Sequence, residues 1–347
     1  MSFNLENITR ENIKDLKPYS SARDEFVSLG EDMVFLDANE NPYANGVNRY
    51  PDPHQHKLKA LLAKQRGINK KQIVLGNGSD EILDLLFRAF CEPNADNIVS
   101  LPPTYGMYKV LSATNAVENR EVLLNADFQP DIDAIFKVVN KNTKLLFLCS
   151  PNNPTGNLIA NDLIESILTE FNGLVVMDEA YIDFASTASW INRLDEYPNL
   201  VVTQTLSKAY GMAGIRLGMC FASKEITTVL KKIKPPYNVN ELTQQRALLG
   251  VKNSDKVATQ VEEILVERKN LLKALSKISF IRHVYPSEAN FLLVKVDDAK
   301  LRYEQLLNAG IVIRNRSNQP LCDNTLRFTV GTSEENTKLI NVLKEIK

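Results

Sequence analysis

Thr205-Leu206-Ser207-Lys208-Ala209-Tyr210-Gly211-Met212-Ala213-Gly214-Ile215-Arg216 sets one lysine between two hydroxyl residues and a run of small ones, with an arginine eight positions on. A lysine amine that attacks a carbonyl needs freedom to lose its proton and little bulk around it. The hydroxyls of Thr205 and Ser207 and the guanidinium of Arg216 together suit a phosphate, which the arginine meets as a planar fork. A lysine nucleophile beside a phosphate cradle describes a Schiff base to pyridoxal 5′-phosphate (PLP). The plainer reading of the same residues is a surface lysine in a Gly/Ala turn.

Outward from this segment the chain alternates. Short apolar runs at 72–75, 97–101, 144–150, 173–178, 200–205 and 218–222 are separated by helical stretches such as 82–90 and 108–114. Continuous apolar strands between amphipathic helices predict a mostly parallel sheet flanked by helices on both faces, an α/β large domain. After Pro235-Pro236 the pattern changes to long helices at 241–250 and 255–277. Strand 291–296, helix 301–309, strands 311–314 and 326–330 and helix 337–346 then predict a smaller α+β domain. The expected division is an N-terminal arm at 1–29 packing with the small domain, a large PLP-binding domain at 30–240 and a small domain at 241–347. A length of 347 residues suits one large and one small domain better than one core.

Composition excludes several classes. A net charge of −1 gives no reason to expect a nucleic-acid partner, and Lys231-Lys232-Ile233-Lys234 reads as a solvated helix end. No apolar run approaches the ~20 residues of a membrane span. The polar start Met1-Ser2-Phe3-Asn4 argues against a secretory signal. Cys91, Cys149, Cys220 and Cys322 stand far apart, as in a cytoplasmic protein with reduced, buried thiols. His54-Gln55-His56 lacks an evident third ligand, so no metal is expected.

Four further constellations sit where ligands of open parallel sheets sit, beyond strand carboxyl ends. Asp178, in Met177-Asp178-Glu179-Ala180-Tyr181, is placed to hold a proton on the pyridine nitrogen of PLP, keeping the ring an electron acceptor. Tyr181 is placed to donate to the ring's phenolate oxygen, although strand-end Asp-Glu pairs are often only helix caps. In Ser150-Pro151-Asn152-Asn153-Pro154-Thr155-Gly156, prolines and glycine make a rigid turn that would aim Asn153 at the same oxygen. Gly76-Asn77-Gly78-Ser79-Asp80 joins strand to helix, and backbone N–H groups of Ser79 and Asp80 would meet the phosphate. The carboxylates of Asp80 and Glu81 would repel it and are expected to turn away. Pro102-Pro103-Thr104-Tyr105-Gly106-Met107-Tyr108 offers Tyr105 to stack on the pyridine, against a plain buried tyrosine as the other reading. Arg314 and Arg327, thirteen residues apart, would together recognise a carboxylate or phosphate bidentately.

In this order and over nearly the whole chain, these segments resemble the class II PLP-dependent aminotransferases of fold type I. Asp37-Ala38-Asn39-Glu40-Asn41-Pro42, Asn48-Arg49-Tyr50-Pro51-Asp52, Thr104-Tyr105-Gly106-Met107-Tyr108 and Leu326-Arg327-Phe328-Thr329-Val330-Gly331 narrow the resemblance to the histidinol-phosphate branch and its near relatives. The resemblance implies amino transfer between L-glutamate and imidazole-acetol phosphate, giving 2-oxoglutarate and L-histidinol phosphate, in histidine biosynthesis. It implies that Lys208 carries the cofactor and shuttles the proton, with Asp178 and Tyr181 as its catalytic partners. Asn153 would serve both cofactor and substrate. Ser79, Asp80, Thr205, Ser207 and Arg216 would surround the cofactor phosphate. Arg327, aided by Arg314, would take glutamate's α-carboxylate in one half-reaction and the substrate phosphate in the other. Tyr19, in Pro18-Tyr19-Ser20-Ser21-Ala22-Arg23, would close over the substrate. Tyr50 would reach the neighbouring subunit's cofactor phosphate across a homodimer with shared active sites. An aromatic aminotransferase or a phospho-amino-acid decarboxylase of the same fold would use the same Lys208, Asp178 and Arg216. A non-enzymatic PLP-binding regulator is a reading of another class, against which the full set of proton-transfer groups stands.

Overall fold

The apolar runs form the middle of a seven-stranded sheet whose order is β1-β7-β6-β5-β4-β2-β3. The strands are β1 (Ile73–Asn77), β2 (Asn97–Ser100), β3 (Glu118–Glu121), β4 (Thr143–Cys149), β5 (Leu174–Asp178), β6 (Leu200–Thr205) and β7 (Leu217–Ala222). This is a computed structural model, and it describes residues 3–20 and 33–346. Alternate residues of each central strand enter opposite cores, because successive side chains point to opposite faces. Leu146, Leu148, Val175 and Met177 join one core, while Leu145, Phe147, Leu174 and Val176 join the other. Burial on both faces explains why these strands read as unbroken apolar runs. The charged edge strand β3 is not apolar and escapes that signal, as a solvent-facing edge should.

Pairs β2–β3, β2–β4, β4–β5 and β5–β6 are parallel, whereas β7 runs antiparallel to both β1 and β6. The reversal matters for the site. Thr205 ends β6 and Arg216 immediately precedes β7, so both lie at the same edge of the sheet. Gly218 pairs with Thr205 and lets the start of the helix Gly78–Phe90 lie directly on β7. A Cβ at Gly218 would stand 2.2 Å from both the Gly78 carbonyl carbon and the Ser79 nitrogen.

A second, antiparallel sheet has the order β10-β11-β9-β8, formed by β8 (Ile281–Val284), β9 (Phe291–Val296), β10 (Arg314–Asn315) and β11 (Thr325–Thr329). Helices Ser254–Leu275, Ala299–Asn308 and Ser333–Glu345 cover one face, burying Leu292, Val294, Leu326 and Phe328. Phe291 points the other way and packs with Tyr181, Phe184 and Ala209 of the large sheet's loops. The expected strand at 311–314 is reduced to Arg314–Asn315, because Gly310 turns the chain with φ +75° and only then does pairing begin. The final helix begins earlier than expected, at Ser333, where Thr332 and Glu335 form a capping box.

The described part of the N-terminal arm packs on the large domain and not, as expected, with the small one: Ile8 joins the core of Ile82 and Leu86, and Arg10 pairs with Glu92 at 3.0 Å. The lysine run is not a solvated helix end. Lys232 Nζ donates to the carbonyls of Ile13 and Lys14, and Lys231 Nζ to Lys71 O at 3.0 Å. Lys234 is buried and donates to Pro235 O at 2.8 Å and Asn238 Oδ1 at 2.9 Å. Carbonyls left over at a helix end and a Pro-Pro turn need donors, and lysine has three. All four cysteines are buried and unpaired.

Replacing Gly218 by alanine should destabilise the protein by about 1–3 kcal/mol, the usual cost of overpacking. Chemical denaturation measures it, and a midpoint equal to wild type would mean that the helix start is not held against β7.

Candidate active site

The ends of β1, β2, β4, β5 and β6 and the segments that follow them deliver side chains to one cleft of about 510 Å³ of empty space. Ser79, Asp80, Tyr105, Asn153, Asp178, Tyr181, Thr205, Ser207, Lys208 and Arg216 all line it, with Cys149 and Ala180 between them. The sequence expectations for these residues therefore converge in space.

Asp178, the last residue of β5, is 2% exposed. Its carboxylate accepts from Tyr108 Oη at 2.7 Å and from the Ala180 N–H at 3.3 Å. Burial raises its pKa, and those two donors work against the rise. Tyr108 is a functional residue that sequence reasoning passes over as part of a helix. Its signal is position, one turn beyond Tyr105, where it stacks on Phe147 at 4.6 Å and hides its hydroxyl beneath Asp178.

Asn153 is held from two sides. Its Nδ2 lies 3.5 Å from Tyr181 Oη, and its Oδ1 accepts from Arg327 Nη1 at 2.5 Å. Asn152 braces the turn by donating to Pro103 O at 2.8 Å and accepting from Thr104 Oγ1 at 3.0 Å. Lys208 Nζ sits 5.5 Å from the centre of the Tyr181 ring. Burial, then the charge of Arg327, pushes the Lys208 amine below its ordinary pKa. Thr205 Oγ1 donates to Ser207 Oγ at 2.9 Å, and Ser207 N–H donates back to Thr205 Oγ1 at 3.1 Å. Arg216, in the left-handed region at φ +55°, points its guanidinium at Gly78. A Cβ on Gly78 would stand 2.6 Å from Arg216 Nη2. Hydroxyls, a helix N-terminus and a guanidinium thus enclose a space fit for a phosphate.

One expectation is corrected. Glu81 does turn away, accepting from Asn77 N–H at 2.5 Å and Asn238 Nδ2 at 2.9 Å. Asp80 does not: its carboxylate accepts from Tyr105 Oη at 3.0 Å and lies 3.5 Å from Arg216 Nη2. Two donors at the cleft require an acceptor, and Asp80 in the first helical turn is within their reach.

Arg327 packs its guanidinium over Phe291 at 5.0 Å and stands directly opposite Arg314, which is exposed. Tyr19 and Tyr50 are not brought into the cleft by their own chain: they are 73% and 52% exposed. Tyr50 stacks on Tyr237 at 4.5 Å. Residues 21–23 of the Tyr19 segment lie outside the described residues. The Asn153 turn is also tied to the second sheet, because Glu288 N–H donates to Gly156 O at 2.7 Å. A Cβ on Gly156 would meet Ser287 Oγ at 2.5 Å.

The aminotransferase class I and II family model matches residues 34–343, and the chain belongs to that family. The histidinol-phosphate aminotransferase of Flavobacterium johnsoniae is 62% identical to it over 344 residues, 99% of each chain. Among solved structures, the histidinol-phosphate aminotransferase from Clostridium acetobutylicum aligns with a TM-score of 0.80 at 27% identity, over 86% of this chain and 91% of that one. The one from Sinorhizobium meliloti, in complex with pyridoxal-5′-phosphate, aligns with a TM-score of 0.79 at 25% identity, over 86% and 82%.

Glu179, beside Asp178, faces a different network: it accepts from Ser189 Oγ at 2.5 Å, Trp190 N–H at 2.7 Å and Gln204 Nε2 at 2.8 Å. Burial pushes its pKa up to about 7 from an ordinary 4.5. The folded protein then keeps a proton that the unfolded chain releases across that window. Stability is full below it and declines as pH rises through about 7. Glu179→Gln, whose amide is accommodated by turning the unpartnered Gln204 Oε1, should remove a slope of up to roughly 1 kcal/mol per pH unit. Urea unfolding at several pH values between 5 and 7 tests this, and an unchanged slope would exclude Glu179 as its source.

Proposed function

We infer that this chain is a PLP-dependent transaminase acting between L-histidinol phosphate and 2-oxoglutarate, giving imidazole-acetol phosphate and L-glutamate in L-histidine biosynthesis. The observation that carries this reading is 62% identity to a histidinol-phosphate aminotransferase across 99% of both chains. The residues fit the cofactor. Gly78 admits the Arg216 guanidinium beside a helix N-terminus, Gly218 lets that helix start lie on β7, and a buried carboxyl and a lysine with lowered pKa line the same cleft.

Bound PLP supplies an electron sink for the charge left when an α-proton is removed. The chain's own residues do the rest. Lys208, whose amine burial and then the charge of Arg327 push below its ordinary pKa, attaches the cofactor and then takes and returns the proton at the substrate's Cα. Asp178 holds the proton on the pyridine nitrogen, steadied by Tyr108. Asn153 and Tyr181 donate to the phenolate oxygen, and Tyr105 stacks on the ring. Ser79, Asp80, Thr205, Ser207 and Arg216 hold the phosphate, the first two through backbone N–H groups. Arg327, aided by Arg314, receives the carboxylate of glutamate or the phosphate of the other substrate, because a guanidinium fork suits both. Tyr19 closes over the substrate.

The reading extends to a cytoplasmic homodimer in which Tyr50 completes the partner's phosphate site. Its exposure and its place outside the lining of its own cleft support that role. No helix among the described residues is long and apolar enough to cross a membrane. The division at 240 is supported by the two sheets, one ending at Ala222 and the other starting at Ile281, while the boundary at 29 lies outside the described residues. An aromatic aminotransferase or phospho-amino-acid decarboxylase would use the same core residues, but full-length identity favours the histidinol-phosphate reaction.

Lys208→Ala should retain PLP through the other contacts while losing the visible band of the lysine adduct. Its turnover in a coupled assay with histidinol phosphate and 2-oxoglutarate should fall by several orders of magnitude. Retention of a tenth of wild-type turnover would show that another base does the chemistry. Mixing Lys208→Ala with Tyr50→Phe subunits should raise activity above the Tyr50→Phe parent, since each heterodimer holds one intact site. If confirmed subunit exchange brought no rise, Tyr50 would not act across the dimer.

A further inference from the structure

Arg316 belongs to none of the motifs above, yet it lies beside Arg327, which grips Asn153 of the cleft lining. Its N–H donates to Thr325 O at 2.9 Å, continuing the ladder in which Arg314 faces Arg327 and Asn315 faces Leu326. Alternation therefore puts Arg314, Arg316 and Arg327 on one face of the small sheet. The other face carries Leu326 and Phe328 into the core. Among the described residues, no carboxylate lies within ion-pair distance of any of these guanidiniums. The Nε atoms of Arg316 and Arg327 are both buried without a hydrogen-bond partner. Burial, then the charges of Arg327 and Arg314, lowers Arg316 to about 10, which still leaves it cationic at neutral pH. Buried cations with idle donors are costly unless an anion meets them.

We propose that Arg316 is a specificity residue, neutralising the second negative charge of the substrate's phosphate next to the charge taken by Arg327. This rests on the transaminase reading and deepens it. A carboxylate brings one charge and two oxygens, which a single guanidinium fork satisfies. A phosphate monoester brings nearly two charges and three acceptor oxygens, and so requires a second donor. Arg314 is exposed, where water weakens its pull, whereas Arg316 is half-buried beside Arg327 and Tyr181. Arg316 thus distinguishes the phosphorylated substrate from glutamate at a site where Arg327 treats them alike.

The test uses the PLP-loaded dimer and measures each half-reaction separately in single turnover. Arg316→Gln should lower kcat/KM for histidinol phosphate by about 10- to 100-fold and that for L-glutamate by less than about 3-fold. Inorganic phosphate, competing against L-glutamate, should inhibit the variant about 10-fold more weakly than wild type. Arg316→Lys, which keeps the charge and loses the fork, should recover part of the loss for histidinol phosphate only. Equal losses in both half-reactions would mark Arg316 as structural or as part of a shared site, and no loss in either would remove it from the site; both overturn the proposal. Should Arg316→Gln fail to fold, Arg316→Lys decides by the same ratio. A wild type that ignores histidinol phosphate would sink the functional reading alone, and phosphate competition against glutamate would still decide Arg316.

Discussion

The reversal of a single strand organises this molecule. Parallel strands deliver their carboxyl ends, and the loops that follow, to one edge of the sheet. A uniformly parallel sheet would carry the residue before β7 to the opposite edge. Because β7 runs backwards, Arg216 arrives at the edge where β6 leaves Thr205 and where the helix after β1 begins. Gly218 is the local condition for that arrangement, since backbone of the helix start occupies the place of a side chain. The anion cradle is thus a product of topology first and of side-chain chemistry second.

Electrostatics in the cleft follow from burial. Desolvation moves Asp178 upward and Lys208 downward, so each is pressed toward its neutral form. An acid prepared to share a proton and an amine prepared to lose one are what a carbonyl chemistry with proton transfer requires. Nearby, Tyr108 limits the penalty on Asp178 by giving it a short hydrogen bond from a fully buried hydroxyl. For Lys208 the positive charge of Arg327 adds to the effect of burial, and the charges of Asp178 and Asp80 offset only part of it.

Much of this was legible in the sequence where one residue type has one task. The stretches 200–205 and 291–296 are apolar, and each folds as a strand with those bounds. Asp178 ends a strand, and Lys208, Asn153 and Arg216 stand in turns after or before strands, so local pattern locates them. Charged β3 carries no periodic signal, and the two-residue β10 is too short to have one. Tyr108 reads as an ordinary core aromatic because its role depends on Asp178, seventy residues away. Arg316 acquires meaning only through its neighbours across the sheet. Asp80 departs from its expected orientation because the pull of Tyr105 and Arg216, invisible in local sequence, holds its carboxylate at the cleft.

The tie between Gly156 and the Ser287–Glu288 turn has a mechanical meaning. The chain after Asn153 is clamped to the small sheet by a backbone hydrogen bond and a steric contact, while Asn153 itself is gripped by Arg327 of that sheet. Asn153 is therefore geared to the smaller unit although its segment belongs to the larger one. Any swing of the small sheet that preserves these bonds drags the amide along with the guanidinium, as two teeth of one wheel. The spacing between the Arg327 guanidinium and the amide beside Tyr181 is then an invariant of the motion, and opening the cleft does not require that spacing to be set anew.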